Sequence, residues 1–509
     1  MGAFETATAR RSILKGFGAL AVGASLPAKA QQLLAAPGEE LHAQLHCPSK
    51  GAWSDLARAL KGALVMPGDP FFGDYYRPNN LRFIKRPSGI ARCDSVDDVA
   101  ACVSWARKTG TPFAVRSGGH NYAGYSNTTG LLIDLSRLTG ITKVDEKTGL
   151  VTISGGSINS MVYKGLERLG RTITHGRCDG VGAAGFLLGG GIGFNMRLYG
   201  IGSDLLESTD LILADGRTVT AQGGDDLLWA CQGGGGGNFG INTSFTLKTF
   251  KIETPVTVFK LTWNTNLATV LHSLLENLQD APKGFGSKIS VTVPARGANC
   301  SGPGDGMTVS VLGQAHFDQA AVEKLFGDLW QSASERKVEA NQPYWQAQDF
   351  LSETTFPYYY REKSTFVKQG SLTEDTLTAM IESARAMPRT SMASAFKFFQ
   401  VGGAINDTAP EATAFVHRGF DWLFSSEVNW WEPTDPESLI KEALAWQDGF
   451  YATVLKRTQA LGAYQNFPDP SLGDWKQAYY QQNYARLQKV KKAVDPKSLF
   501  TYAQAITPA

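Results

Sequence analysis

Two glycine-rich loops each carry one side chain that could act as a nucleophile. The first is Val115-Arg116-Ser117-Gly118-Gly119-His120-Asn121-Tyr122-Ala123-Gly124-Tyr125-Ser126. A strand running into two glycines makes a tight turn whose backbone N–H groups can converge on a diphosphate. Arg116 and Ser117 add a charge and a hydroxyl. His120 sits at the edge of that turn and offers a ring nitrogen, although a lone histidine is equally compatible with a structural role. In the second loop, Gly176-Arg177-Cys178-Asp179-Gly180-Val181-Gly182-Ala183-Ala184-Gly185, Arg177 stands beside Cys178 and should favour its thiolate. Gly189-Gly190-Gly191-Ile192-Gly193 follows and permits close approach of a planar ligand. These glycines are not embedded in a βαβ unit with the expected acidic residue, which excludes a Rossmann fingerprint.

Three further segments have unusual composition. Leu228-Trp229-Ala230-Cys231 leads into five glycines, Gly233 to Gly237, and on through Asn238-Phe239-Gly240-Ile241 into a strand-like run. A flexible linker would not continue in that way. Near the C-terminus stand Tyr464-Gln465-Asn466-Phe467-Pro468-Asp469 and Asn483-Tyr484-Ala485-Arg486-Leu487, the latter continuing to Asp495-Pro496 and Phe500.

The surrounding elements follow from periodicity and turn chemistry. At 509 residues the chain exceeds one ordinary core of ~100–200 residues, so two domains sharing a cleft are expected. Residues 76–253 alternate short β-rich runs, glycine turns and helices, including a helix over 94–109 capped by Ser95 and stopped by Gly110. Residues 254–435 alternate strand-like runs with longer helices, which predicts an antiparallel sheet backed by helices. The fold class is therefore α+β. Residues 436–509 form a C-terminal segment with two helices, and 31–75 a polar leader.

Arg10-Arg11, a short apolar run from Gly16 to Leu26 and the small-residue end at Ala30 make residues 1–30 read as a twin-arginine export signal, implying a periplasmic or secreted protein. The run is too short to span a bilayer. A net charge of +2 with no Lys/Arg stripe argues against a nucleic-acid partner. The cysteines at 47, 93, 102, 178, 231 and 300 form no C-x-x-C pair, and no metal site is expected.

Taken together, R-S-G-G-H, G-x-C-x-x-V-G, the triple glycine with R-x-Y-G, the five-glycine segment, Y-x-N-x-x-D and the terminal N-Y-x-R-L motif resemble the berberine bridge enzyme-like branch of the vanillyl-alcohol oxidase flavoprotein superfamily. The motifs cover residues 77–250 and 460–505; the middle of the chain matches only loosely. The resemblance implies a two-domain flavoprotein, with an FAD-binding α+β domain and a substrate domain. It implies FAD linked through its 8α-methyl group to His120 and through ring carbon 6 to Cys178. Arg116, Ser117, Gly118, Gly119, Asn121, Ser126, Val181, Gly182, Gly185, Gly189, Gly190, Gly193, Ile241 and Asn466 would complete the cofactor site. Val181 would face the oxygen-reactive carbon of the flavin, its small size suiting an oxidase. Tyr464 would lie over the isoalloxazine ring and remove the substrate's hydroxyl proton, with Glu427 the candidate acidic partner. A tyrosine titrates near 10 unaided, so such a base needs help from its neighbours. The implied reaction is oxidation of an alcohol, a sugar or oligosaccharide hydroxyl, with dioxygen reduced to hydrogen peroxide. The rivals are a secondary-metabolite tailoring oxidase and a dehydrogenase using another acceptor. Trp345, Trp422, Trp430 and Trp431 are candidate stacking surfaces.

Overall fold

The computed structural model describes residues 48–252, 254–298, 305–353, 356–431 and 434–509. The expected export signal, Cys47 and Cys300 lie outside the described residues.

A four-stranded sheet opens the fold, with Ala63–Val65, Gly89–Arg92, Leu131–Asp134 and Phe113–Arg116 side by side in that order. The last three run parallel. Ala63–Val65 pairs antiparallel on the edge. Residues expected as a leader thus belong to this sheet, because a three-residue strand is too short to display alternation in the sequence. The helix Val96–Thr109 packs Val99, Cys102, Val103 and Ala106 onto the same core. Its N-cap is Ser95, whose hydroxyl accepts from the Asp98 N–H, and Gly110 ends it at φ 68°.

A second, antiparallel sheet follows in the order Ile141–Asp145, Leu150–Ser154, Ile241–Lys248, Leu206–Ile212 and Thr218–Gln222. A turn at Asp215-Gly216 joins its last hairpin, with Gly216 at φ 89°.

The second half of the chain builds a seven-stranded antiparallel sheet. Its order is Glu335–Gln342, Val256–Trp263, Thr308–Ala315, Phe285–Val293, Ser394–Gln400, Trp422–Trp430 and Tyr359–Val367. Helices Leu267–Gln279, Glu374–Arg385 and Glu437–Thr458 contribute to the core on one face. One helical stretch is broken by Gly327, at φ 55° between Gln319–Phe326 and Asp328–Ser332.

Side-chain alternation gives the central strands two unlike faces. Trp422, Phe424, Val428 and Trp430 join the helix-backed core with Phe396 and Phe398. On the opposite face Glu362, Lys397, Glu427 and Asn429 line a cavity. All nine residues of Trp422–Trp430 are buried, so its polar members mark a site rather than solvent.

The C-terminal segment divides. Glu437–Thr458 stays with the seven-stranded sheet, whereas the stretch from about residue 463 returns to the first half. There the buried Lys491 ammonium donates to the carbonyls of Asn238 (2.6 Å) and Phe500 (2.7 Å) and pairs with Asp495 (2.7 Å). This ties the terminus to the end of the five-glycine loop. Among the described residues, no helix is long and apolar enough to cross a membrane.

Candidate active site

A cavity of about 640 Å³ runs between the glycine loops of the first half and the polar face of the large sheet. His120 and Cys178 both line it, as do Ser117, Gly118, Gly119, Asn121, Ser126, Val181, Gly182, Gly185, Gly193, Ile241, Glu427, Tyr464 and Asn466. Residues up to 349 positions apart in the chain thus converge on one space, Ser117 and Asn466 among them.

The two nucleophile-bearing loops touch. A Cβ added to Gly118 would overlap the backbone of Gly182, and one added to Gly182 would overlap Gly118. The Gly118→Ala variant is accordingly expected to pry the loops apart and lower the flavin content of purified protein, read as the ratio of visible to ultraviolet absorbance. Asn121 shapes the first loop from within: its Oδ1 accepts from the N–H groups of Ala123 and Tyr125, both at 3.0 Å. Burial pulls the His120 imidazole down to about 4, so the ring is neutral near pH 7 and a nitrogen lone pair is free.

Around Cys178 the electrostatics differ from expectation. Burial pushes the thiol up, and Arg177 only partly opposes it. The reason is that Arg177 is ion-paired to Glu353, which also holds Lys288 at 2.5 Å. Burial alone would raise the Glu353 carboxyl, but Arg177, Lys288 and Lys397 together hold it well below the usual carboxylate range. Through this knot, the backbone bond from the Glu353 N–H to the Arg177 carbonyl (3.2 Å) and a β-bridge between Cys178 and Glu353, the Cys178 loop is fastened to the second half of the chain.

Three expected cofactor contacts belong instead to the framework. Arg116 does not line the cavity; its guanidinium donates to the carbonyls of Tyr75 and Tyr76, each at 2.9 Å. It caps the short helix Phe72–Tyr76, whose last carbonyls have no partner within the helix. Gly189 and Gly190 also lie off the cavity, where their missing side chains make room for Asn466 and for the Tyr464 ring.

Tyr464 is 1% exposed, and its hydroxyl accepts from the Gly191 N–H (2.8 Å) and the Asn466 amide (3.2 Å). Burial raises it to about 12 despite those donors. Glu427 does not serve as its partner. The Glu427 carboxylate is ion-paired to Lys397 and accepts from the Tyr358 hydroxyl at 3.0 Å. Burial pushes that carboxyl up, but Lys397 outweighs it and leaves it below its ordinary value. The four tryptophans singled out as stacking surfaces are also placed elsewhere. Trp422 and Trp430 are core, Trp345 stacks on His175 at 5.2 Å, and Trp431 contacts Phe356; none lines the cavity. Tyr122, Phe356, Tyr358, Phe399 and Phe467 are among the aromatic side chains on its walls, with Tyr122 stacked on Phe467 at 5.1 Å.

Sequence reasoning passed over Lys288, Glu353, Glu362 and Lys397. The available signal was a charge at an inward position of a strand whose neighbours are apolar, as in Phe396-Lys397-Phe398.

The cavity suits a flavin dinucleotide: it is long, glycine-lined on one side, and the buried Ser126 hydroxyl on its wall has no protein partner. Comparison with known proteins agrees. Residues 87–222 match the family of FAD binding domains, and residues 463–507 match the "berberine and berberine like" family. An FAD-linked oxidoreductase of Bacillus subtilis is 30% identical over 461 residues, covering 88% of this chain and 97% of the relative. The carbohydrate oxidase of Microdochium nivale is 26% identical over 486 residues, covering 90% of this chain and 96% of the relative. The solved structure of that oxidase with a substrate analogue superposes with a TM-score of 0.78 at 24% identity, over 90% of this chain and 100% of the other. Glucooligosaccharide oxidase from Acremonium strictum, whose FAD is described as 6-S-cysteinyl, 8α-N1-histidyl, gives a TM-score of 0.78 at 22% identity, over 90% and 99%.

Fold and site therefore define an FAD-linked oxidoreductase. Within that class, the chain belongs to the berberine bridge enzyme-like flavoproteins.

Proposed function

We propose that this flavoprotein oxidises a hydroxyl of a sugar or oligosaccharide, with FAD bound covalently at His120 and Cys178. The observation that carries the reading is the opposition, across one cavity, of the two loops bearing His120 and Cys178 to a sheet face rich in hydrogen-bonding groups. Bound FAD supplies the two-electron acceptor for the substrate's hydride and returns the electrons to dioxygen as hydrogen peroxide.

The chain's own residues account for binding and position. Asn429 Oδ1 and Glu362 Oε1 are buried acceptors on the cavity wall with no protein donor. A polyhydroxy ligand supplies such donors, while Tyr122, Phe356 and Phe467 offer apolar faces to a sugar ring. Val181 lines the cavity; in the position the family resemblance implies, its small side chain would leave room for dioxygen and favour an oxidase over a dehydrogenase. Similarity to carbohydrate oxidases points to the same substrate class.

The test is a peroxide screen of the holoprotein across mono- and oligosaccharides and aromatic alcohols. Peroxide is expected with a saccharide, together with rapid return of the oxidised-flavin absorbance when the substrate-reduced protein meets air. Reduced flavin that persists in air would instead identify a dehydrogenase. Turnover confined to aromatic alcohols would favour the tailoring-oxidase reading.

A further inference from the structure

The cavity face of the large sheet holds two carboxylates directly opposite each other. In the antiparallel pairing of Tyr359–Val367 with Trp422–Trp430, Glu362 stands across from Glu427, and on the other side of Glu427 the register continues to Ala395. Like charges in opposed positions repel, so this pair weakens the sheet unless something nearby or something bound offsets it. The two carboxylates are not equivalent. Glu427 is fully engaged, with Lys397 on one oxygen and the Tyr358 hydroxyl on the other. Glu362 is 4% exposed, and its Oε1 has no hydrogen-bond partner. Leaving a buried carboxylate oxygen unpaired is unfavourable unless a ligand or a proton satisfies it.

The geometry points to Glu362 as the proton acceptor of the reaction: its free Oε1 takes the proton of the substrate hydroxyl, with Glu427, fixed by Lys397 and Tyr358, as the positioning partner across the strand pair. This rests on the reading of the protein as an alcohol-oxidising flavoenzyme. The balance is simple. The substrate's O–H bond breaks with its proton going to the Glu362 carboxylate. The C–H bond breaks with its electron pair, as hydride, going to the flavin. A carbonyl remains, and the proton then passes to solvent.

The surroundings of Glu362 suit that task. Lys397, on the strand Ser394–Gln400, the Ser425 hydroxyl, on the neighbouring strand Trp422–Trp430, and Lys288, on Phe285–Val293, favour its charged form, whereas Glu427 opposes it. Tyr122, from the first glycine loop, and Tyr358 and Tyr360, preceding it in the chain, face it without a charge of their own near neutrality. Burial, opposed by Lys397 and reinforced by Glu427, pushes the carboxyl up to about 7. A base poised there is half ionised at neutral pH, near the optimum for proton transfer. By contrast the Tyr464 hydroxyl, held by two donors and raised by burial, is a weaker candidate.

The experiment is anaerobic stopped-flow reduction of the covalent holoprotein by the saccharide found in the screen, from pH 5 to 9, for wild type, Glu362→Gln and Tyr464→Phe. The wild-type rate of flavin reduction is expected to rise with pH through an ionisation near 7. Glu362→Gln should lose that ionisation and fall roughly 10²–10⁴-fold, while its rate of reoxidation by oxygen stays within twofold. A second readout needs no substrate: infrared difference spectra between pH 5 and 9 should show a protonated-carboxyl band that titrates near neutrality in wild type and is missing in Glu362→Gln. The proposal is overturned if the variant is reduced at the wild-type rate with the wild-type profile. It is also overturned if Tyr464→Phe alone abolishes reduction, or if the infrared band is unchanged by the substitution. If no alcohol reduces the wild-type flavin, the functional reading fails and the proposal with it. A saccharide that reduces wild type and Glu362→Gln alike sinks the proposal alone.

Discussion

Wild-type protein precipitated in acid is expected to carry its yellow colour into the pellet, and the double variant His120→Ala/Cys178→Ala to leave all of it in the supernatant. Each single variant, once loaded, should keep its flavin in the pellet through the remaining bond. The expectation follows from placement: both side chains line one cavity, on loops held together by the mutual approach of Gly118 and Gly182. The two attachments are not symmetrical. His120, neutral because burial holds it at about 4, presents a nucleophile without prior ionisation. Cys178 must lose a proton that burial makes harder to lose, and its neighbour Arg177 is committed to Glu353. The thiolate is the attacking form, so attachment at Cys178 should lag that at His120, and the lag should shorten as pH rises. Mass spectrometry of tryptic peptides during loading of the apoprotein follows both bonds. Release of flavin from acid-treated wild type would disprove covalent attachment.

The second large effect concerns stability. Lys491 is entirely buried, with one carboxylate and two carbonyls as its partners. Lys491→Met keeps most of the volume but strands the Asp495 carboxylate, which still accepts from the N–H groups of Leu499 and Phe500 at 2.8 and 2.9 Å. Breaking a buried pair by removing one partner costs about 3–5 kcal/mol. The loss should appear as an earlier unfolding midpoint in urea. Because the ammonium also braces Asn238, which closes the five-glycine segment lining the cavity, the variant should release its flavin fluorescence early in the same titration. An unchanged midpoint would show that the clamp contributes nothing to folding. Lys491→Met/Asp495→Leu, which removes both charges, should recover part of the loss.

How far the sequence discloses this molecule depends on the range of each interaction. Local rules place the helix Val96–Thr109 within two residues, since a cap, a periodic apolar face and a stopping glycine all lie inside it. The hairpin at Asp215-Gly216 is equally local. The loops around His120 and Cys178 are legible because glycine has few uses, and close backbone approach is one of them. Other glycines mislead for the same reason. Gly189 and Gly190 accommodate Asn466 and Tyr464, partners nearly three hundred residues away, and nothing local separates that use from contact with a ligand. Arg116 misleads similarly: a guanidinium beside an anion-binding turn invites a phosphate role, but it points at the backbone carbonyls of Tyr75 and Tyr76. The acid–base groups of the sheet were the least visible. Glu362 and Lys397 acquire meaning only through the pairing register that sets them around Glu427, and that register is a long-range property.

The knot of Arg177, Glu353 and Lys288 has a mechanical consequence. It joins the Cys178 loop to the half of the molecule that carries the large sheet, so the two walls of the cleft are riveted beside Cys178. A jaw that closes on its substrate needs a hinge free to swing; this one is pinned beside its teeth. If the proposed saccharide oxidation holds, discrimination among substrates would fall to the spacing and order of groups along the cleft rather than to closure around the ligand.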